Sequence, residues 1–116
     1  MKQHLAGLCA LLVAGIAPVA HASTSAPAPL YLVAGSYAPA AEVGIRIFRF
    51  DAATGEATPA GGCTGIADPS YLVASADGRS LYVASETGDE TAALVRLDFD
   101  RRSGTLRQGE RQPTRG

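Results

Sequence analysis

Apolar positions along this chain come in short runs, each closed by Gly, Pro, Asp or Ser, and after residue 22 none shows the three-to-four spacing of an amphipathic helix. Leu30-Tyr31-Leu32-Val33-Ala34 predicts a first strand, ended by Gly35-Ser36-Tyr37 and followed by a loop from Ala38 to Glu42. Gly44 to Phe50 predicts a second, with Ile45 and Ile47 on one face and Phe48 and Phe50 on the other. Asp51 to Gly55 reads as a hairpin loop, in which the Asp side chain bonds forward to backbone N–H groups and the Gly takes the left-handed position. Glu56 to Ala60 is a weak outer strand, and Gly61 to Asp68 a Gly-rich link. Tyr71 to Ala74 and Leu81 to Ala84 form a hairpin through Asp77-Gly78, a pair that favours a type I′ turn. After a loop at Thr87 to Glu90, Ala93, Val95, Leu97 and Phe99 alternate with Arg96 and Asp98, which predicts a half-buried strand. Asp100 to Gly104 repeats the earlier turn, and Thr105 to Arg107 is a second weak outer strand.

The two halves are copies. Asp51 and Asp100, Gly55 and Gly104, Phe50 and Phe99, and Ile45 and Leu94 each lie 49 positions apart, and Ser36 falls on Ser85 at the same offset. A period near 50 built from short strands and turn signals is the mark of propeller blades, each a four-stranded sheet. The expected fold is therefore all-β: a β-propeller fragment of about two blades with antiparallel sheets, over residues 30–62 and 69–112. The first blade has three strands and the second four, because nothing strand-like precedes Leu30. A closed ring needs several such units, so 30–116 reads as the N-terminal portion of a propeller whose C-terminal blades would be its partners.

Composition changes this picture at the N-terminus. A short basic start, an uncharged apolar run from Leu5 to Ile16 and Ala20-His21-Ala22 before Ser23 have the form of a cleaved export signal over residues 1–22. Pro18 and His21 interrupt the run too early for a spanning helix, so no stable membrane anchor is expected. Residues 23–29, with two prolines among small polar residues, form a linker. The mature protein would be periplasmic or secreted. Removing the signal removes both histidines and the only lysine, leaving nine arginines against eleven carboxylates, a net charge of −2. That balance gives no reason to expect nucleic acid. Without histidine, a Ser-His-Asp triad, a Cys-His pair or a His-based zinc site cannot be assembled. Cys63 alone cannot form an internal disulfide.

The stretch D-P-S-Y-L-V-A-S-A-D-G-R-S-L-Y-V-A-S-E from Asp68 to Glu86 resembles the blade core of the lactonase family of seven-bladed β-propellers, that of the propeller-type 6-phosphogluconolactonases. The resemblance extends over roughly Leu30 to Gly116. It implies closure of the ring by a C-terminal strand, and hydrolysis of a small-molecule, sugar-derived lactone with no cofactor. Lactone opening needs an activated water and a stabilised tetrahedral oxyanion. The candidates lie where inner strands begin or end: Glu86 as the catalytic carboxylate, with Tyr37, Ser70 and Tyr71 as substrate-binding groups. Each has a plainer reading, Ser70 as turn chemistry and the tyrosines as packing between blades. Asp89 and Glu90 with Glu86 put three acids in one loop, which reads as a solvated turn, and no metal is expected. Gly61-Gly62-Cys63-Thr64-Gly65 lacks the Lys and helix of a phosphate-binding loop and reads as a link between blades. Phosphorylated sugar lactones are cytosolic, so an exported enzyme would open an unphosphorylated one. The alternative is a non-catalytic extracytoplasmic propeller that binds a protein or carbohydrate partner, since fold alone does not fix function.

Overall fold

The structure is a computed structural model that describes residues 28–115. The export signal read over residues 1–22 and most of the linker lie outside the described residues. Seven strands form two antiparallel sheets in chain order. The first sheet holds β1 (Leu30–Ala34), β2 (Ile45–Phe50) and β3 (Ala57–Cys63). The second holds β4 (Pro69–Ala74), β5 (Ser80–Ser85), β6 (Ala93–Asp100) and β7 (Thr105–Pro113). Each is a plain meander of the kind that makes a propeller blade, three-stranded and then four-stranded as the repeat predicts.

The turns show why these strands stop where they do. Gly55 and Gly104 take φ values of 77° and 72°, and their N–H groups donate to the carbonyls of Asp51 and Asp100 at 2.7 and 2.8 Å. Both Asp side chains accept a backbone N–H two residues on, from Ala53 and Arg102, each at 2.8 Å. The Asp77-Gly78 hairpin departs from the expected type I′ turn. Only Gly78 has positive φ, at 68°, and its N–H donates to the Ser75 carbonyl, so Ala76 and Asp77 form the centre of an ordinary turn closed by a left-handed Gly. Asp77 decides this locally, because its Oδ1 accepts from Ser75 Oγ at 2.6 Å and from Arg79 N at 3.0 Å.

The outer strands run further than their composition suggests. Gly61, Gly62 and Cys63 are not part of a link: they pair with Ile47, Arg46 and Ile45, beyond a bulge at Ala60. A side chain at Gly62 would meet Val43 and the Ile45 carbonyl at 2.6 and 2.7 Å, so that glycine is there for close approach and not for flexibility. β7 likewise continues to Pro113, opposite Ala93.

The core lies between the two sheets. Ile45 of β2, Ile66 of the connection, Leu81 and Val83 of β5, and Ala93, Val95 and Leu97 of β6 are buried together, with Val33, Cys63, Leu72 and Leu106 packed on them. Each large aliphatic side chain buried there contributes roughly 1.5–3 kcal/mol. Pro69 is the wedge at one end. It is buried, and a Cβ at Gly44 or Gly35 would come within 2.6 Å of its ring and 2.2 Å of its carbonyl oxygen. At the other end Tyr31 spans the sheets. Its ring meets Phe99 edge-on at 5.2 Å, and its hydroxyl donates to the Arg101 carbonyl at 2.8 Å.

Copies of one position have opposite environments. Ile45 is fully buried while Leu94 is 44% exposed, and Leu81 is 5% exposed while Leu32 is 47% exposed. The inner face of the first sheet covers the second, but the corresponding face of the second, with Tyr71, Val73, Tyr82 and Leu94, is open. Among the described residues the hairpin strands are therefore covered on one face only.

Candidate active site

The Asp68-Pro69-Ser70 corner assembles the candidate site. Asp68 has a φ of 44°, unusual for a residue before proline, whose ring disfavours most of the non-extended backbone. That conformation turns the Asp68 carbonyl so that it accepts the N–H of Ser70 at 2.8 Å and the N–H of Glu86 at 2.9 Å. The Asp68 N–H donates to the carbonyl of Ala38, in the loop between β1 and β2, at 2.9 Å, and Ser36 N–H donates to the Pro69 carbonyl at 3.1 Å. Ser70 is left over in the β4–β5 register, where Pro69 faces Ser85 and Tyr71 faces Ala84. A bulge of this kind re-aims a side chain.

The side chain it aims is Ser70 Oγ, which donates to Glu86 Oε2. The same oxygen accepts the Tyr37 hydroxyl at 2.9 Å. Three of the four residues expected at the site thus meet, and two of them, Tyr37 and Glu86, are equivalent positions of the two repeats. The fourth does not join them. Tyr71 points to the open face of the second sheet and is 73% exposed. Because its neighbour Ser70 is bulged, Tyr71 falls into register with Ala84 on that face, away from Glu86.

The Ser70 and Tyr37 hydroxyls hold the Glu86 carboxyl below the usual carboxylate range, in that order of effect, against a small opposing cost of burial. The Tyr37 hydroxyl is raised in turn, first by its bond to Glu86. Glu86 is therefore ionised at neutral pH. Lowered basicity makes it a weaker proton acceptor and a steady hydrogen-bond acceptor. Among the described residues no cation pairs with it: both ion pairs, from Arg96 and Arg107, go to Asp98. Asp89, proposed with Glu86 and Glu90 as a loop of acids, is engaged with Thr91, accepting its N–H at 2.9 Å and its hydroxyl at 2.5 Å. Among the described residues no three His, Cys, Asp or Glu side chains converge. Burial pushes the Cys63 thiol up, away from thiolate reactivity.

Sequence reasoning missed Asp68, whose carbonyl organises the cluster. The available signal was Asp-Pro at a strand entry, since Asp is one of the few residues that tolerate positive φ.

The seven-bladed β-propeller lactonase family matches residues 31–116, most of the chain. The chain is also similar to three solved structures. A candidate 6-phosphogluconolactonase from Bacteroides uniformis is 42% identical, with a TM-score of 0.69 over 75% of this chain and 25% of that one. A second candidate, from Bacteroides fragilis, is 36% identical, with a TM-score of 0.69 over 76% and 24%. The periplasmic gluconolactonase of Pseudomonas aeruginosa is 32% identical, with a TM-score of 0.65 over 74% and 25%. No curated protein matches the chain. The chain belongs to the lactonase family of seven-bladed β-propellers, and it spans about a quarter of the length of these structures.

The lowered carboxyls set an acid limit on stability. Glu86, Asp77, Asp89 and Asp100 all lie below their usual range through hydrogen bonds made only in the fold. Their stabilisation is complete above the unfolded carboxylate values, about 4, and is lost as pH falls through the lower folded ones. The urea midpoint should be flat from about pH 7 to 5 and fall steadily below about pH 4. A midpoint that rises on acidification would contradict this assignment.

Proposed function

We propose that the chain supplies two blades of a lactone hydrolase that opens a sugar-derived lactone. The observation that carries this reading is the convergence of Tyr37, Ser70 and Glu86 at the start of β4, the first strand of its sheet. In a propeller the first strands of the blades line a central channel, where ligands reach groups from several blades at once. Membership of the lactonase family supports the reaction class, and the gluconolactonase and the two candidate 6-phosphogluconolactonases among the similar structures support a sugar-derived substrate.

In this reading Glu86 Oε1, which accepts no bond among the described residues, holds the attacking water or a substrate hydroxyl against the lactone carbonyl. The tetrahedral oxyanion needs donors or a cation, and the Tyr37 and Ser70 hydrogens are already given to Glu86. Oxyanion stabilisation is therefore assigned to other blades of the ring, and the 116-residue chain by itself is inactive.

The chimera that tests this replaces the matching quarter of the Pseudomonas aeruginosa gluconolactonase with residues 30–115. The chimera should hydrolyse glucono-δ-lactone well above the spontaneous rate, while the chain alone should not. A folded, monodisperse chimera without activity would favour the non-catalytic binding reading. Turnover by the isolated chain would overturn the assignment of the oxyanion donors elsewhere.

We also propose export. The charge and apolar pattern of residues 1–22 supports it, as does the periplasmic location of one similar protein. Produced with residues 1–22 in a Gram-negative host, the mature protein should begin at Ser23 by N-terminal sequencing. Soluble protein that retains Met1 would count against it.

A further inference from the structure

The Tyr37–Ser70–Glu86 cluster has a property that follows from counting its hydrogens. An ionised carboxylate only accepts, and each hydroxyl has one hydrogen to give. Tyr37 and Ser70 both give theirs to Glu86 Oε2. What the cluster presents outward is then acceptors alone: Glu86 Oε1 and the remaining lone pairs on the Tyr37 and Ser70 oxygens. The one charge there is negative, and among the described residues no Arg pairs with it. Of the backbone donors at this corner, the N–H groups of Asp68, Ser70 and Glu86 are engaged, with the carbonyls of Ala38 and Asp68.

We infer that Tyr37, Ser70 and Glu86 form a subsite for the hydroxyl groups of a neutral polyhydroxyl ligand and discriminate against its phosphorylated form. A polyol brings a donor on every carbon and can satisfy several outward acceptors together. A phosphate ester brings oxygens that only accept, and a charge approaching −2 at neutral pH. Against this cluster it finds no hydrogen to accept and a like charge to oppose it. The arrangement is the reverse of a phosphate site, which gathers backbone N–H groups, Arg or Lys. The inference takes the location of the site from the lactonase reading and adds to it a choice between neutral and phosphorylated sugar derivatives. Tyr37 is 72% exposed, so the subsite is open to a ligand without rearrangement.

Sorbitol and sorbitol 6-phosphate, neither of which hydrolyses, are suitable probes for the purified full chain. Binding is read from the amide resonances of Tyr37, Ser70 and Glu86 in an NMR titration at neutral pH. Sorbitol should shift all three, with a dissociation constant about tenfold lower than that of sorbitol 6-phosphate. In Glu86→Gln that ratio should collapse toward one. In Ser70→Ala, which keeps the charge, sorbitol should weaken roughly threefold to tenfold while its preference over the phosphate survives. This second variant carries the test if Glu86→Gln fails to fold. The inference is overturned if sorbitol 6-phosphate binds as tightly as sorbitol, if neither probe moves the three resonances, or if Ser70→Ala leaves sorbitol binding unchanged. Because no turnover is measured, sorbitol selectivity alongside an inactive chimera would sink the hydrolase reading alone, and the reverse pair of results would sink the subsite alone.

Discussion

Pro69 sits tightly between the two sheets. Its ring lies against the backbone at Gly44, and its carbonyl against Gly35 and the Ser36 N–H. No side chain fits at either glycine, because contacts of 2.2–2.6 Å from a Cβ are below anything packing permits. Once Pro69 is seated, the rest of the corner is constrained. Asp68 must turn to φ 44° to reach Ala38, its carbonyl then collects the amides of Ser70 and Glu86, and Ser70 is bulged out toward the Glu86 carboxylate. The contact that closes the sheets together at this end is the one that builds the polar cluster.

Repetition explains both the cluster and the unequal burial around it. Tyr37 and Glu86 occupy one position in successive blades, and a bond between them is a bond between neighbouring copies of the same strand end. The same offset relates buried Ile45 to exposed Leu94 and exposed Leu32 to buried Leu81. In a stack of like sheets each face has a fixed neighbour on one side, so a position is covered or open according to which sheet carries it. The energetics are therefore concentrated in one shared interface, with Ile45 and Ile66 on one side and Leu81, Val83, Val95 and Leu97 on the other.

Much of this was legible in the sequence because it is periodic. The strands from Leu30, Gly44 and Ala93, the paired Asp-to-Gly turns and the count of three and then four strands all follow from apolar spacing and turn residues. Tyr37, Ser70 and Glu86 could be picked out as strand-end residues, although their meeting at a single oxygen depends on a bulge that spacing does not reveal. Tyr71 stands apart from them for the same reason, since a one-residue slip sends a side chain to the other face. Gly61 and Gly62 looked like a link because glycine is usually read as flexibility, whereas here close backbone approach demands it. Ile66 was hidden in that supposed link, yet it is one of the most buried residues.

The Pro69 seat against Gly35 joins the two sheets into one cooperative unit. Its most direct test compares Gly35→Ala with Gly88→Ala in urea unfolding, with amide hydrogen exchange on the same samples. Nothing lies within 4 Å of a Cβ at Gly88, so that variant should stay within about 0.5 kcal/mol of the parent. Gly35→Ala should lose at least about 2 kcal/mol, and protection should fall together in β2 and in β5 and β6. Equal stability of the two variants, or a loss of protection confined to one sheet, would contradict the account.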